Sequence, residues 1–132
     1  MRILVDTNII ISGGIFPESI VGKVLAHITR NHHLVLCQYS LDEMKSVCYK
    51  KFPLRIDSLN KFLRDLEYEL VDIKSIDYRN YPKIRDVDDI PVLANAIEAK
   101  ADLFVTGDKD FDDVIIKTPE IINPRKYIEK YM

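Results

Sequence analysis

The sequence predicts an α/β fold built on a parallel β-sheet covered by helices on both faces, and three observations predict it. Short, uninterrupted β-branched and aliphatic runs recur along the chain: Ile3-Leu4-Val5, Leu34-Val35-Leu36-Cys37, Leu70-Val71-Asp72-Ile73 and Leu103-Phe104-Val105. Runs with little polar alternation are how strands buried on both faces read. Between them lie segments with apolar residues at helical spacing, and strands alternating with helices imply crossover connections in a parallel sheet. A chain of 132 residues also has the size of one domain, residues 1–132, with a single core.

Taken in order, the first strand ends immediately at Asp6. Asn8 to Ile15 is mostly apolar with two glycines and reads as a turn or short helix. Pro17-Glu18-Ser19 opens a helix to about Asn31, with Ile20, Val24, Leu25 and Ile28 on one face. After the second strand, Ser40 reads as a helix cap with Glu43 three residues on, which is capping-box spacing. That helix runs from about Leu41 to Lys51, and Pro53 breaks it. The next covers Ile56 to Glu67 with a stripe of Leu59, Phe62, Leu63 and Leu66. Asp86 to Asp89 is a polar turn. Pro91 falls in the first turn of the following helix, where its missing N–H costs nothing, and Val92, Leu93, Ala96 and Ile97 form the inner face. The fourth strand ends in Thr106-Gly107-Asp108. A fifth comes from Val114-Ile115-Ile116 or from Ile121-Ile122, and Pro124 to Tyr131 is the last helix.

Composition removes some function classes. Hydrophobic content of 47% and charged content of 30% suit a globular chain, and sparse Gly and Pro argue against disorder. A net charge of -2 excludes a uniformly cationic nucleic-acid binder, though not an enzyme that meets phosphate through metal ions held by its own carboxylates. Cys37 and Cys48 match no zinc or redox spacing and read as reduced core thiols, which suggests the cytoplasm. The apolar start before Asp6 is too short for a signal peptide, and no later run is long enough for a bilayer span.

Ligands of open parallel sheets bind at the carboxyl ends of strands, where strand order reverses. Asp6 follows the first strand and Asp108 the fourth, so both belong at that edge. Asp89 starts the helix before strand four, and Glu43 lies one turn into the helix after strand two. Clustered carboxylates repel and desolvate one another unless a cation joins them. Hard oxygen ligands suit Mg²⁺ or Mn²⁺ rather than zinc, and His27, His32 and His33 sit around a helix-to-strand connection instead. Taken singly, each acid has a plainer reading: Asp6 as a turn residue, Glu43 as a capping acid, Asp86, Asp88 and Asp89 as a solvated helix start, and Asp108, Asp110, Asp112 and Asp113 as a solvated loop. Independent turn acids, however, need not gather at one sheet edge.

Charge is also uneven. Residues 45–64 carry Lys45, Lys50, Lys51, Arg55, Lys61 and Arg64 against Asp57 alone, whereas residues 86–113 carry nine acids against Lys100 and Lys109. A basic flank beside an acidic pocket suits a polyanion such as RNA, with Lys45, Lys50, Lys51 and Arg55 as candidate contacts; a solvated helix face explains the same segment without RNA. Tyr49, Phe52, Tyr78 and Tyr81 either stack on bases or pack at the core and rim.

The ordered set Leu4-Val5-Asp6-Thr7-Asn8, Ser40-x-x-Glu43, Asp86-x-x-Asp89 followed by Val92-Leu93-Ala94, and Thr106-Gly107-Asp108-Lys109-Asp110 resembles the PIN-domain family across nearly the whole chain, most of all prokaryotic PIN proteins described as toxins of toxin-antitoxin pairs. The resemblance implies a three-layer α/β/α sandwich around a mainly parallel sheet of about five strands. It implies a ribonuclease that cleaves single-stranded RNA with one or two Mg²⁺ or Mn²⁺ ions, by attack of a metal-activated water that leaves a 5′-phosphate and a 3′-hydroxyl. Asp6, Glu43, Asp89 and Asp108 match the family's acidic quartet, and Asp110, with Asp86, matches further acidic positions. Thr7, Asn8, Ser40 and Thr106 match polar neighbours that orient ligands. An antitoxin partner and a homodimer are further implications.

Two rivals share the end-of-strand acid. A phosphatase or phosphotransferase of the haloacid-dehalogenase type needs a general acid two residues after its nucleophilic Asp, and here that position is Asn8. A phosphorylatable receiver domain needs paired acids after strand one, where Asp6 stands alone. A PIN-like module that binds RNA or protein without cutting is the non-enzymatic alternative.

Overall fold

The computed structural model describes residues 1–132. Strands β1 (Arg2–Val5), β2 (His33–Cys37), β3 (Glu69–Val71), β4 (Leu103–Val105) and β5 (Glu120–Ile122) form one sheet of order β3-β2-β1-β4-β5, with every pairing parallel. Helices α1 (Thr7–Ile15), α2 (Ile20–Asn31), α3 (Gln38–Lys51), α4 (Ile56–Asp65), α5 (Ile90–Glu98) and α6 (Pro124–Tyr131) complete the fold. This is the three-layer α/β arrangement with about five parallel strands that the sequence predicts.

Side chains on successive strand residues point to opposite faces, which sorts the core into two clusters. Ile3, Val5, Leu34, Leu36, Leu103, Val105 and Ile122 pack with residues of α1, α2, α3, α4 and α6. Leu4, Val35, Cys37 and Phe104 pack on the other face with Val92, Leu93 and Ala96 of α5 and with Phe111. Phe104 and Phe111 meet edge to face, with centroids 5.0 Å apart. Such a pair adds about 0.5–1.5 kcal/mol beyond burial, and it pins the segment after β4 to the sheet. The site depends on that anchor.

β1 and β4 are the central neighbours, with Val5 opposite Val105. From β1 the chain proceeds outward to β2 and β3, and from β4 to β5 on the other side. The order therefore reverses between β1 and β4, at the carboxyl edge where Asp6 and Thr106 emerge.

Several local expectations need correction. Of the two readings of the stretch after Asp6, the short helix is correct: it is α1, capped by the Asp6 carboxylate. α2 starts later than Pro17, because Ser19 Oγ accepts the Gly22 N–H at 3.1 Å and is the cap. β2 enters α3 with no connecting residue, and Cys37 holds the cap position without a side-chain bond. Ser40 is thus inside the helix and fully buried, with the Cys37 thiol donating to its hydroxyl at 3.2 Å. Glu43 is consequently an exposed helix residue rather than a capping-box acid. α4 ends at Asp65, and β3 stops at Val71, one residue before Asp72. Of the two candidates for the last strand, Ile121-Ile122 is correct; residues 114–116 are a loop in which Val114 and Ile116 pack against the cluster on the α5 face. Both cysteines are free and buried, and no single helix is long and apolar enough to cross a membrane.

Candidate active site at the carboxyl edge of the sheet

Asp6 is almost fully buried, at 8% exposure. Its Oδ1 accepts the Thr7 N–H at 2.7 Å and its Oδ2 accepts the Thr106 hydroxyl at 2.8 Å. The Thr106 oxygen in turn accepts the Asp108 N–H at 3.0 Å, so one buried threonine ties the two strand-end acids together. Asp108 Oδ1 accepts the Asp110 N–H at 2.9 Å, which closes the turn that carries Asp110 back toward the sheet. Asp86 makes the same kind of turn with the Asp88 N–H at 2.9 Å. Short polar side chains commonly stabilise turns in this way and keep one carboxylate oxygen free.

The acids converge. Burial raises the Asp6 carboxyl above its ordinary range, the bonds from Thr106 and Thr7 oppose that rise, and the charges of Glu43 and Asp108 add to it. Asp89 caps α5 by position, makes no side-chain capping bond, and is pushed up to about 7. Burial is the main cause, followed by the charges of Asp108, Asp86, Asp6 and Asp110. Carboxylate oxygens of Asp86, Asp89 and Asp110 all lie within 4.8 Å of one another. Asp86, Asp89 and Asp110 form one close group, and the charges of Asp6 and Asp108 act on Asp89 while those of Glu43 and Asp108 act on Asp6.

These residues suit a hard divalent cation. The donors are all oxygen, the class Mg²⁺ and Mn²⁺ prefer. Asp89 Oδ2 is buried and has no hydrogen-bond partner, a costly condition for a carboxylate that a ligated cation would relieve. The Thr7 hydroxyl beside Asp6 is also buried without a partner.

Thr7, Ser40 and Thr106 are buried at this edge, whereas Asn8 is exposed in the first turn of α1. The predicted basic flank lies apart. From Glu43, α3 carries Lys50 and Lys51 about 12 Å along its axis, at about 1.5 Å per residue, and Arg55 lies beyond its end. Lys45 lines a separate groove of about 350 Å³ with Met44, Cys48, Ile56 and Leu59. Phe52 is half-buried against Phe16, and the Tyr81 hydroxyl donates to Glu98. The histidines are engaged elsewhere, His33 with Glu69 and His27 with Tyr127.

Two residues at the site escaped the sequence reading. Arg85 reaches Asp110 at 3.7 Å and Asp113 at 3.9 Å from an exposed position; its place one residue before Asp86 was the available signal. The Tyr39 hydroxyl donates to the Asp88 carbonyl at 3.2 Å, and burial with the nearby Glu43 charge raises its pKa. Nothing in its sequence neighbourhood marks it beyond standing next to Ser40.

Comparison with known proteins gives a consistent outcome. A family model described as PIN domain matches residues 2–110. The uncharacterized protein MJ1680 of Methanocaldococcus jannaschii is 26% identical over 148 aligned positions, covering 99% of this chain and 92% of that protein. Among solved structures, VapBC2 from Rickettsia felis bound to a DNA fragment from their promoter is similar, with a TM-score of 0.67 and 20% identity over 93% of this chain and 98% of that one. At that identity the likeness speaks for the fold.

Proposed function

The chain belongs to the PIN-domain family, and on that premise we propose that it is an endoribonuclease that cleaves single-stranded RNA using Mg²⁺ or Mn²⁺. The observation that carries this reading is the buried, partnerless Asp89 Oδ2 beside Asp86 and Asp110 and within reach of the Asp6 and Asp108 charges. Arg85, on the rim, is the basic side chain that reaches this group.

In the proposal Asp6, Glu43, Asp89 and Asp108 hold the metal, with Asp110 and Asp86 completing the cage. A bound divalent cation would supply charge neutralisation at the phosphate and a water acidic enough to attack near neutral pH. Asp6 is oriented by Thr106 and the Thr7 N–H, so its geometry is set before any ligand arrives. Thr106 also fixes the Asp108 backbone. Burial and neighbouring acids hold the Asp89 carboxyl up near 7, so a cation held there would favour its ionised form and would bind more tightly as pH rises. No side chain has to act as nucleophile.

A role as the toxin of a toxin-antitoxin pair, with an antitoxin protein as partner and a cytoplasmic setting, is part of the same proposal. It is supported by the motif resemblance and by the fold shared with VapBC2. The test is cleavage of an unstructured RNA by pure protein in Mn²⁺, in EDTA, and with Asp6→Asn. Cleavage that needs metal and vanishes in the variant supports the reading. Cleavage that persists in EDTA, or in the variant at full rate, overturns it.

A further inference from the structure

A cleft of about 620 Å³ opens directly beside the acids and shares Thr106 and Asp108 with them. It lies between the segment after β4 and the β5–α6 connection, and its volume is in the range of ligand pockets, about 300–1,000 Å³. Among its mostly polar lining it holds three half-buried apolar side chains, Val114, Ile116 and Ile121, packed on the cluster that contains Phe104 and Phe111. Its lining also includes Lys117 and Lys126, both exposed and neither in an ion pair within the chain. Of the acids nearby, Glu120 is engaged by Lys130 at 2.6 Å and by the Tyr131 hydroxyl at 2.9 Å, and Asp112 lies exposed on the rim.

The cleft therefore brings together one of the clustered acids, Asp108, with half-buried apolar side chains and two ammonium groups outside any ion pair. A nucleotide has the complementary sequence of parts. Its scissile phosphate belongs at the acids through a cation, its base face belongs on an apolar surface, and its next phosphate belongs at lysines. The basic flank of α3 offers no such continuity, because the groove containing Lys45 shares none of the acids.

Resting on the nuclease reading above, we propose that this cleft is the subsite for the nucleotide next to the scissile phosphate, with Lys117 and Lys126 holding the adjoining phosphate. The RNA strand thus leaves the acids on the β5 side of the sheet. The sequence pattern points toward α3 instead, because Lys117 stands among mixed charges and Lys126 has only Arg125 beside it, which is no basic run.

The test uses the full chain with Mn²⁺ and a single-stranded RNA oligonucleotide. KM is measured over a salt series for the wild type, for Lys117→Gln with Lys126→Gln, and for Lys50→Gln with Lys51→Gln. Loss of two phosphate contacts on a single strand is expected to raise KM on the order of tenfold and to flatten its log–log salt dependence by about 1.4. The Mn²⁺-induced rise in Tm should not change in the Lys117/Lys126 variant, which separates RNA binding from damage to the acids. An equal or larger effect from the Lys50/Lys51 pair, or an unchanged KM and slope in the Lys117/Lys126 pair, overturns the subsite while leaving the nuclease reading intact. A wild-type protein that cleaves no RNA in Mn²⁺ overturns both, and that result is visible before any lysine is changed.

Discussion

The two ends of the same sheet treat their acids in opposite ways. At the amino ends of the strands, each acid has a partner from the chain. Arg2 grips Glu69 with two guanidinium bonds of 2.9 and 3.0 Å, and His33 adds a third contact at 2.8 Å. Asp102 accepts the Arg2 N–H at 2.8 Å, and Glu120 is held by Lys130 and Tyr131. At the carboxyl ends of β1 and β4, Asp6, Asp89 and Asp108 meet no lysine or arginine, and Asp110 meets Arg85 only at 3.7 Å. The consequence is a divergence in proton affinity. Bonds from Arg2 and His33 hold Glu69 at about 2, whereas burial among other acids holds Asp89 at about 7. Even Asp72, just past the outer strand β3, has Lys74 at 2.6 Å. At the carboxyl edge, acids that are buried or half-buried go without the counter-charges that the strand-end acids of the other edge receive, which is the arrangement a foreign cation completes.

The largest expected effect comes from breaking the unpaired end. Asp6→Asn should reduce cleavage on the order of 10³-fold, since metal assistance is worth several kcal/mol and each 1.36 kcal/mol is tenfold. Its Tm in EDTA should match or exceed the wild type, because a repelled, desolvated carboxylate becomes neutral; a cleavage assay and a melt check both halves. Thr106→Val removes the bond that orients Asp6. It should weaken Mn²⁺ binding by about 10–100-fold, the usual cost of losing a ligand-orienting partner, measured by calorimetric titration.

The pH dependence of stability sharpens the comparison, because the two ends have opposite signs. Asp89 is raised from 3.8 to about 7, so between those values the folded state binds a proton that the unfolded state has lost. Without metal, this group's contribution to stability falls as pH rises through that window. Saturating Mn²⁺ should abolish the decline, and at about 100 times Kd it should add about 2.7 kcal/mol. Melts at pH 5 and pH 8 with and without Mn²⁺ read this directly. Glu69 is lowered from 4.5 to about 2, so its stabilisation is complete above 4.5 and is lost as pH falls toward 2. The smallest effect is Glu69→Gln, which should lower Tm slightly at neutral pH, shrink the acid-side loss, and leave cleavage at the wild-type rate, since the pair is substantially exposed.

Much of the architecture was legible because its signals are local. Ile3-Leu4-Val5 and Leu103-Phe104-Val105 carry no polar interruption, and the rule that parallel sheets present their carboxyl ends to ligands placed Asp6 and Asp108 side by side. Local pattern failed where tertiary context decided. Ser40 had capping spacing, yet the direct passage of β2 into α3 left Cys37 at the cap and buried Ser40. Ile115 sits in a run as apolar as Ile121-Ile122, yet it is 93% exposed in a loop. The partners at the amino end were also out of reach, since Arg2 and Glu69 are 67 residues apart and only the sheet order brings them together. Arg85 reaches Asp110 from a loop and Tyr39 reaches the Asp88 carbonyl from the first turn of α3, and single contacts of that kind have no periodic signature.

The most direct measurement is an anomalous difference map from crystals soaked in Mn²⁺. The account predicts a peak about 2.0–2.3 Å from Asp89 Oδ2, with carboxylates of Asp108 and its neighbours in the same coordination sphere. A map with no peak at this edge, or with manganese bound elsewhere while Asp89 Oδ2 stays bare, would contradict it.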